Sequence, residues 1–431
     1  MTKAQGEQTV EALAARHRRG FTLEQPFYND PGIFARDVEQ IVSRQWLLVD
    51  HASRLSRAGD WMTFAVAGES IVLVRGRDGE IRGFFNVCRH RGSRICLTEE
   101  GNSRTLTCPY HAWVWNLEGQ LQLARGMDEG FDRSAWPLHP CQVRVWHGLI
   151  FVNLAAGDDP EVLPFETLAA DCEPYLARED LGRTRIAARI AYPTHANWKL
   201  VLENFQECHH CAPSHPEYTA VHAYVTEEAR DPAAWWARHE AWQASRRAAG
   251  LHAEISAPYE ADPRQPHGGW YAPIRPGIDT LSRDGKPLAP LLGSHTAFDG
   301  VDTGICLGQF GFAHLCNDHA VLFRFTPRRV DLTDVELIWL VHEDAVEGRD
   351  YDRDRLTWLW DVTTIEDTKI INDNQAGVNS SRYQPGPYVP AEAYAQAFID
   401  WYVDRIGGLA PRTRTATPPA RDVRGTVVAA E

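Results

Sequence analysis

The stretch "CRHRGSRICLTEEGNSRTLTCPYHAW", Cys88 to Trp113, carries two ligand pairs, each of one cysteine and one histidine. Cys88-x-His90 is followed by seventeen residues and then by Cys108-x2-His111. The surrounding chain, from about Trp46 to Leu154, runs in short alternating segments such as "MTFAVAGESIVLVRG" and "VRVWHGLIFVNL". Gly, Asp and Asn turns separate them, which predicts an all-β module with the two pairs at the tips of hairpin loops. A Cys2His2 donor set suits tetrahedral zinc. It also suits a two-iron, two-sulfide centre in which two thiolates hold one iron and two imidazoles the other. The mixed Cys/His pairs and the tight Cys-x-His spacing favour the second chemistry. So do Gly92 and Pro109 beside Trp113, which make compact loops. Cys96, Cys141 and Cys172 read as core thiols.

A second dense stretch is "ENFQECHHCAPSHPE", Glu203 to Glu217. Taken as a helix from Glu203 to Cys211, it puts Glu207 and His210 on one face at i, i+3. His209 then points about 100° away. Pro213 cannot continue a helix, so the helix is expected to end near Cys211 and His215 to arrive from the next turn. His210 and His215 can then converge on one ion. Two imidazoles and one carboxylate form a facial triad that holds Fe(II) and leaves positions open. The helical segment "WDVTTIEDTKIINDNQAGVNS" offers Glu366 and Asp367, of which Asp367 is chosen. Gln375 lies about two turns further on nearly the same face, so this side of the helix is expected to line a polar pocket. Glu203 reads as a helix-surface or core-buttressing acid, and Asn204 and Trp198 as residues that position the helix.

The whole chain has 431 residues, 44% of them hydrophobic, with a net charge of −14. That balance disfavours nucleic acid as a partner. No apolar run approaches a membrane span, the best being "LIFVNLAA", Leu149 to Ala156. The N-terminus lacks the apolar core of a signal peptide, and a cytoplasmic location is expected. Nine cysteines in such a chain argue against a disulfide framework. Four parts are expected: N-terminal helices over 1–45, the β module over 46–155, a mixed α+β region over 156–408, and a disordered tail over 409–431. Strands are predicted near 304–316, 320–329 and 335–342, and long helices near 231–250 and 351–375.

The first stretch resembles a Rieske domain. With "NWKLVLENFQECHHCAPSH" and the late acidic helix behind it, the chain resembles the large subunit of Rieske non-haem iron oxygenases. The resemblance implies an α+β fold: an all-β Rieske [2Fe–2S] domain plus a helix-grip-like catalytic domain with a mononuclear iron. It implies Cys88, His90, Cys108 and His111 as cluster ligands, and His210, His215 and Asp367 as ligands of a mononuclear Fe(II). Glu207 matches the bridging carboxylate that links an iron-ligating histidine to a cluster-ligating histidine of the neighbouring subunit. Cys208 and Cys211 match packing residues of that family. His209 replaces its usual tyrosine and is expected to be a polar group behind the iron ligands.

Two further segments, "WLVHEDAVEGRDYD" and "NQAGVNSSRYQPGPY", resemble the branch of the family that attacks quaternary ammonium compounds. That resemblance implies an O2-dependent monooxygenase that N-demethylates such a cation, with glycine betaine as the expected substrate. It implies a partner reductase carrying flavin and an iron–sulfur centre and using NAD(P)H, and a head-to-tail homotrimer. Carnitine, choline, proline betaine or an aromatic acid are the alternative substrates. A Rieske electron carrier without its own chemistry and a zinc-organised scaffold are the alternatives of other classes. A trimethylammonium ion is held by aromatic faces, and Trp235, Trp236, Trp242, Trp270 and Tyr271 are candidates with no cage assigned.

Overall fold

The structure, a computed structural model, describes residues 9–222 and 231–408. The tail expected to be disordered, 409–431, lies outside the described residues. Two antiparallel sheets organise the chain. The first runs in the order Leu47–His51, Leu149–Asn153, Pro140–Trp146, Ile81–Phe85, Glu69–Arg75, Asp60–Val66 and Glu100–Asn102. Alternation dictates its inner face: Met62, Phe64 and Val66 are buried while Trp61, Thr63 and Ala65 are less so. The tight turn into the next strand needs two left-handed residues, supplied by Ala67 at φ +48° and Gly68 at φ +93°. A small three-stranded sheet, Leu106–Thr107, Val114–Trp115 and Leu121–Leu123, stands beside it.

The second sheet follows the order Thr184–Thr194, Leu332–His342, Ala320–Arg329, Gly311–Leu315, Val301–Cys306 and Gly268–Pro273. Its strands are apolar on both sides, so both faces must be covered. Ala313, Leu315, Leu322, Ile338 and Leu340 pack with the helix Phe165–Leu176 and with Trp46, Leu48 and Phe151 from the first sheet's edge. Val321, Phe323, Phe325, Leu337 and Trp339 face the other way, against the helices Trp198–Phe205 and Arg353–Val378. The 26-residue helix Arg353–Val378 starts at a side-chain cap from Asp352 and lies over this face. Among the described residues no helix is long and apolar enough to cross a membrane.

Three elements far apart in sequence meet at Asp37, whose side chain is fully buried. It takes hydrogen bonds from Tyr402 Oη at 2.7 Å and Trp198 Nε1 at 3.1 Å, and pairs with the buried ammonium of Lys199. Trp198 thus positions its helix as the sequence suggests. Removing one member strands a buried charge. Asp37→Ala is therefore expected to lower unfolding free energy by about 3–5 kcal/mol, read from urea midpoints, with no change in the visible spectrum of the folded fraction.

Candidate metal centres and active site

The two Cys/His loops are built alike. In the first, Gly92 N–H donates to Cys88 C=O at 2.9 Å and Cys88 N–H to Ser93 C=O at 2.8 Å. In the second, Ala112 N–H donates to Cys108 C=O at 3.0 Å and Cys108 N–H to Trp113 C=O at 2.9 Å. Each loop closes on a left-handed residue four places after its cysteine, Gly92 at φ +76° and Ala112 at φ +56°. Cys88 and Cys108 are buried and adjacent, and backbone N–H groups of His90 and Arg91 point at the Cys88 sulfur. The His90 and His111 rings lie 4.6 Å apart, and Trp113 stacks on His90 at 4.9 Å and 8°. Loss of water, then the neighbouring His90 and Arg91, hold His111 below its ordinary value, which favours the neutral ring a ligand must be. Two buried thiols on one side and two imidazoles toward solvent match the split donor set of a Rieske centre.

The second stretch folds differently from expectation. The helix spans Trp198–Phe205 rather than running to Cys211. Beyond Gln206 the Glu207 carboxylate takes the backbone N–H groups of His209 and His210, the latter at 3.3 Å, and so replaces a helical turn by a side-chain-capped one. Pro213 sits inside a short helix, Cys211–Ser214, rather than ending one, because the first turn needs no N–H from it. Cys211 is buried in the core and Cys208 packs against it, as expected for packing residues, and the same turn also brings the two together. Their Cα atoms are 4.9 Å apart, within disulfide range, and the sulfurs are bonded. His209 is exposed and contributes its backbone N–H, so it is not the polar group behind the ligands that was expected.

Three donor atoms converge. His215 Nε2 lies 3.0 Å and His210 Nε2 3.3 Å from the same oxygen, Oδ1 of Asp367. Each outward nitrogen meets a different carboxylate: His210 Nδ1 meets Glu207 Oε1 at 2.5 Å, and His215 Nδ1 meets Glu366 Oε2 at 2.9 Å. The neighbours Glu366 and Asp367 therefore divide, one behind a ring and one in front of both. Burial opposes the charge on Asp367, but the two imidazoles outweigh it and hold the carboxyl below its usual range. Burial likewise opposes a charge on His210, and Asp367 and Glu207 overcome it, raising the ring to about 9. Cys211 Sγ lies within 4.8 Å of the two rings as well, but its bond to Cys208 removes it as a thiolate donor. Two imidazoles and one carboxylate on one side fit a facial Fe(II) site.

Two residues near this centre do other work than the sequence suggests. Asn204 Nδ2 is 3.2 Å from His210 Nε2, so it borders the donor cluster instead of merely positioning its helix. Gln375 lines no polar pocket: its oxygen accepts from Asn197 N–H at 2.8 Å and its nitrogen donates to Asn379 at 3.1 Å, tying the long helix to the start of Trp198–Phe205. Glu203 is a buttress, as expected, between Tyr28 Oη at 2.6 Å and Tyr388 Oη at 2.7 Å. Desolvation there pushes its carboxyl up to about 7 despite both hydroxyls. Most candidate aromatic rings already hold an arginine. Arg246 lies over Trp242 and Tyr271, and Arg238 over Trp235. Trp270 instead packs on Phe312 at 5.1 Å, across the bare Cα of Gly304, where a Cβ would strike the indole at 2.3 Å.

The comparisons agree with both halves of this picture. Residues 45–144 match the Rieske [2Fe-2S] domain family, and residues 181–408 match the family described as "Ring hydroxylating alpha subunit (catalytic domain)". The chain is 36% identical over 408 residues to the glycine betaine monooxygenase oxygenase subunit of Chromohalobacter salexigens, covering 91% of this chain and 87% of that one. It is 33% identical over 413 residues to the subunit of that name from Pseudomonas aeruginosa, covering 92% of each. A quaternary ammonium Rieske monooxygenase solved with L-carnitine superposes with a TM-score of 0.65 over 92% of this chain and 99% of that one. At 22% identity that likeness is one of fold. Such full-length similarity, on a chain that folds its cysteines, histidines and carboxylates into these two clusters, makes it a member of the ring-hydroxylating alpha subunits, the oxidoreductases known as Rieske non-haem iron oxygenases.

Proposed function

We propose that this chain is the oxygenase component that N-demethylates a quaternary ammonium compound, glycine betaine first, to the tertiary amine and formaldehyde. The observation that carries the reading is the similarity to two glycine betaine enzymes along nine-tenths of the chain. In it Cys88, His90, Cys108 and His111 hold the two-iron cluster, and His210, His215 and Asp367 hold the mononuclear iron. When bound, the cluster supplies single electrons and the mononuclear iron supplies the oxygen chemistry.

The chain's own residues do the rest. Glu207 and Glu366 each fix an Nδ1–H and so turn a ring's Nε2 lone pair inward. The Nε2 atoms of His210 and His215 converge on Asp367 Oδ1, the three donors that would hold the iron. Phe205, which ends the helix before the iron turn, packs on Phe325 at 4.6 Å and on Phe323 at 5.8 Å and so anchors the start of that turn on the sheet. The hydroxymethyl group on nitrogen then leaves as formaldehyde: its O–H proton is lost, the C–N bond breaks, and that electron pair returns to nitrogen as the tertiary amine's lone pair. His90 and His111 present their rings outward, which suits delivery of the electron to a neighbouring copy's iron through Glu207 in a head-to-tail homotrimer. The remaining partner is a flavin and iron–sulfur reductase drawing on NAD(P)H, and the setting is the cytoplasm.

A product panel tests the substrate. With a surrogate reductase, glycine betaine is expected to give one dimethylglycine and one formaldehyde per O2, ahead of carnitine, choline and proline betaine. Oxygen consumed without product from every betaine would overturn the reading.

A further inference from the structure

The Cys208–Cys211 bond lies inside the iron turn, yet neither sulfur belongs to the donor set proposed for the iron. The other seven cysteines are free, so this bond is no part of a disulfide framework. It encloses His209 and His210. Cys211 directly follows one proposed ligand, and its C=O accepts the N–H of another, His215, at 2.8 Å. Cys211 Sγ, a ring nitrogen of His210 and a ring nitrogen of His215 all lie within 4.8 Å of one another. Metal bonds of about 2.1 Å to nitrogen and about 2.3 Å to sulfur place tetrahedral donors about 3.6 Å apart. Cys211 Sγ therefore stands within about 1 Å of a ligand's spacing.

The bond is open to attack from one side. Cys211 is buried, but Cys208 keeps part of its surface open, and its neighbours His209, Ala212 and Pro213 are exposed. Nor does the turn depend on the bond. Glu207 takes the N–H groups of His209 and His210, and Cys211 N–H donates to Cys208 C=O at 3.2 Å, so the sulfurs can part while the backbone stays closed. In the cytoplasmic setting proposed above, a disulfide is ordinarily transient and redox-sensing. With the bond made, two imidazoles and Asp367 offer three donors and leave positions open. With it broken, Cys211 becomes a fourth donor. Four protein donors fill a tetrahedron, the arrangement of structural metal sites rather than catalytic ones.

We propose that the Cys208–Cys211 pair is a redox gate on the mononuclear metal site. As the disulfide it keeps the open positions free. As the dithiol it lends Cys211 Sγ to the metal and closes the site. In the closing step an external dithiol supplies two electrons and two protons. The bond between the two sulfurs breaks, each sulfur takes a proton, and the external dithiol becomes a disulfide. The Cys211 proton passes to solvent as its sulfur meets the metal. Hydrogen peroxide reverses the step: it takes two electrons and two protons from the pair, leaves as two waters, and the bond re-forms. This rests on the ligand assignment above and adds what controls access to the metal.

Full-length enzyme with its cluster intact and cobalt in place of the mononuclear iron tests it. A thiolate on cobalt gives a sulfur-to-metal charge-transfer band that imidazole and carboxylate donors lack. Zinc-loaded enzyme treated identically is the blank that cancels the cluster's absorption. Wild type oxidised with peroxide before loading is expected to show no band, and dithiothreitol is expected to raise it. Cys208→Ser leaves Cys211 without its partner and is expected to show the band with no reductant added. Cys211→Ser is expected to lack it in both states. Alkylation and peptide mass spectrometry should find the bond present when the band is absent from wild type, and broken when it appears. No band in dithiothreitol-treated wild type and in Cys208→Ser overturns the proposal, as does a bond that peroxide never forms. Cys208→Ser decides the matter if Cys211→Ser fails to fold. Cobalt held as tightly in His210→Ala as in wild type overturns instead the ligand assignment on which the gate rests.

Discussion

The Asp367→Ala enzyme is expected to keep its Rieske absorption spectrum and to lose turnover entirely. Oδ1 of Asp367 is the oxygen that both His210 Nε2 and His215 Nε2 approach, at 3.3 and 3.0 Å. Its removal leaves two neutral donors and no charge to offset a divalent ion, so iron should be absent by metal analysis. The cluster loops, whose proposed ligands lie between residues 88 and 111, are separate from this centre and should load normally. Glu366→Ala makes the informative contrast. Glu366 stands behind His215, at 2.9 Å from Nδ1, and losing such an outer partner costs about 10–100-fold in metal affinity or activity. The reverse outcome, with iron lost in Glu366→Ala and kept in Asp367→Ala, would exchange the two roles.

Glu207→Gln is expected to have the next largest effect, and a different one. The Glu207 side chain holds His210 Nδ1 with one oxygen and two backbone N–H groups of its own turn with the other. Glutamine keeps the shape, loses the charge and turns an N–H toward one of these donors. Steady-state turnover should fall about 100-fold, the upper end for a lost outer-sphere partner. Iron content and the reduced cluster's low-temperature EPR signal should stay at wild-type levels. Stopped-flow oxidation of the prereduced cluster by substrate and O2 should slow in parallel, because the carboxylate is proposed to couple the centres of neighbouring subunits. Cluster oxidation at the wild-type rate would leave Glu207 with a purely local role.

What could be read beforehand follows a physical line. The two loops around Cys88, His90, Cys108 and His111 were legible as loops because residue type and spacing alone define short turns, and both close on a left-handed residue. The long helix was legible from its pattern: Arg353–Val378 starts two residues after and ends three residues after the expected 351–375. The iron turn was legible in its residues and not in its shape. Helix periodicity was extended through Glu207 because propensity cannot register a carboxylate that caps its own following N–H groups. The same error hid the Cys208–Cys211 bond. Glu366 beside Asp367 was visible as a pair, but which one faces inward depends on the rotation of a helix against a sheet.

The buttress at Asp37 and Glu203 bears on the order in which the protein matures. The helix that leads into the iron turn is held by Tyr28 and Asp37 from the front of the chain and by Tyr388 and Tyr402 from its far end. A ribosome has made all four proposed cluster ligands by residue 111, yet must reach residue 402 before that helix has its last anchor. Domains close from the N-terminus during synthesis. The electron-storing module is thus fully translated while the chain that completes the oxygen-handling pocket is still being made.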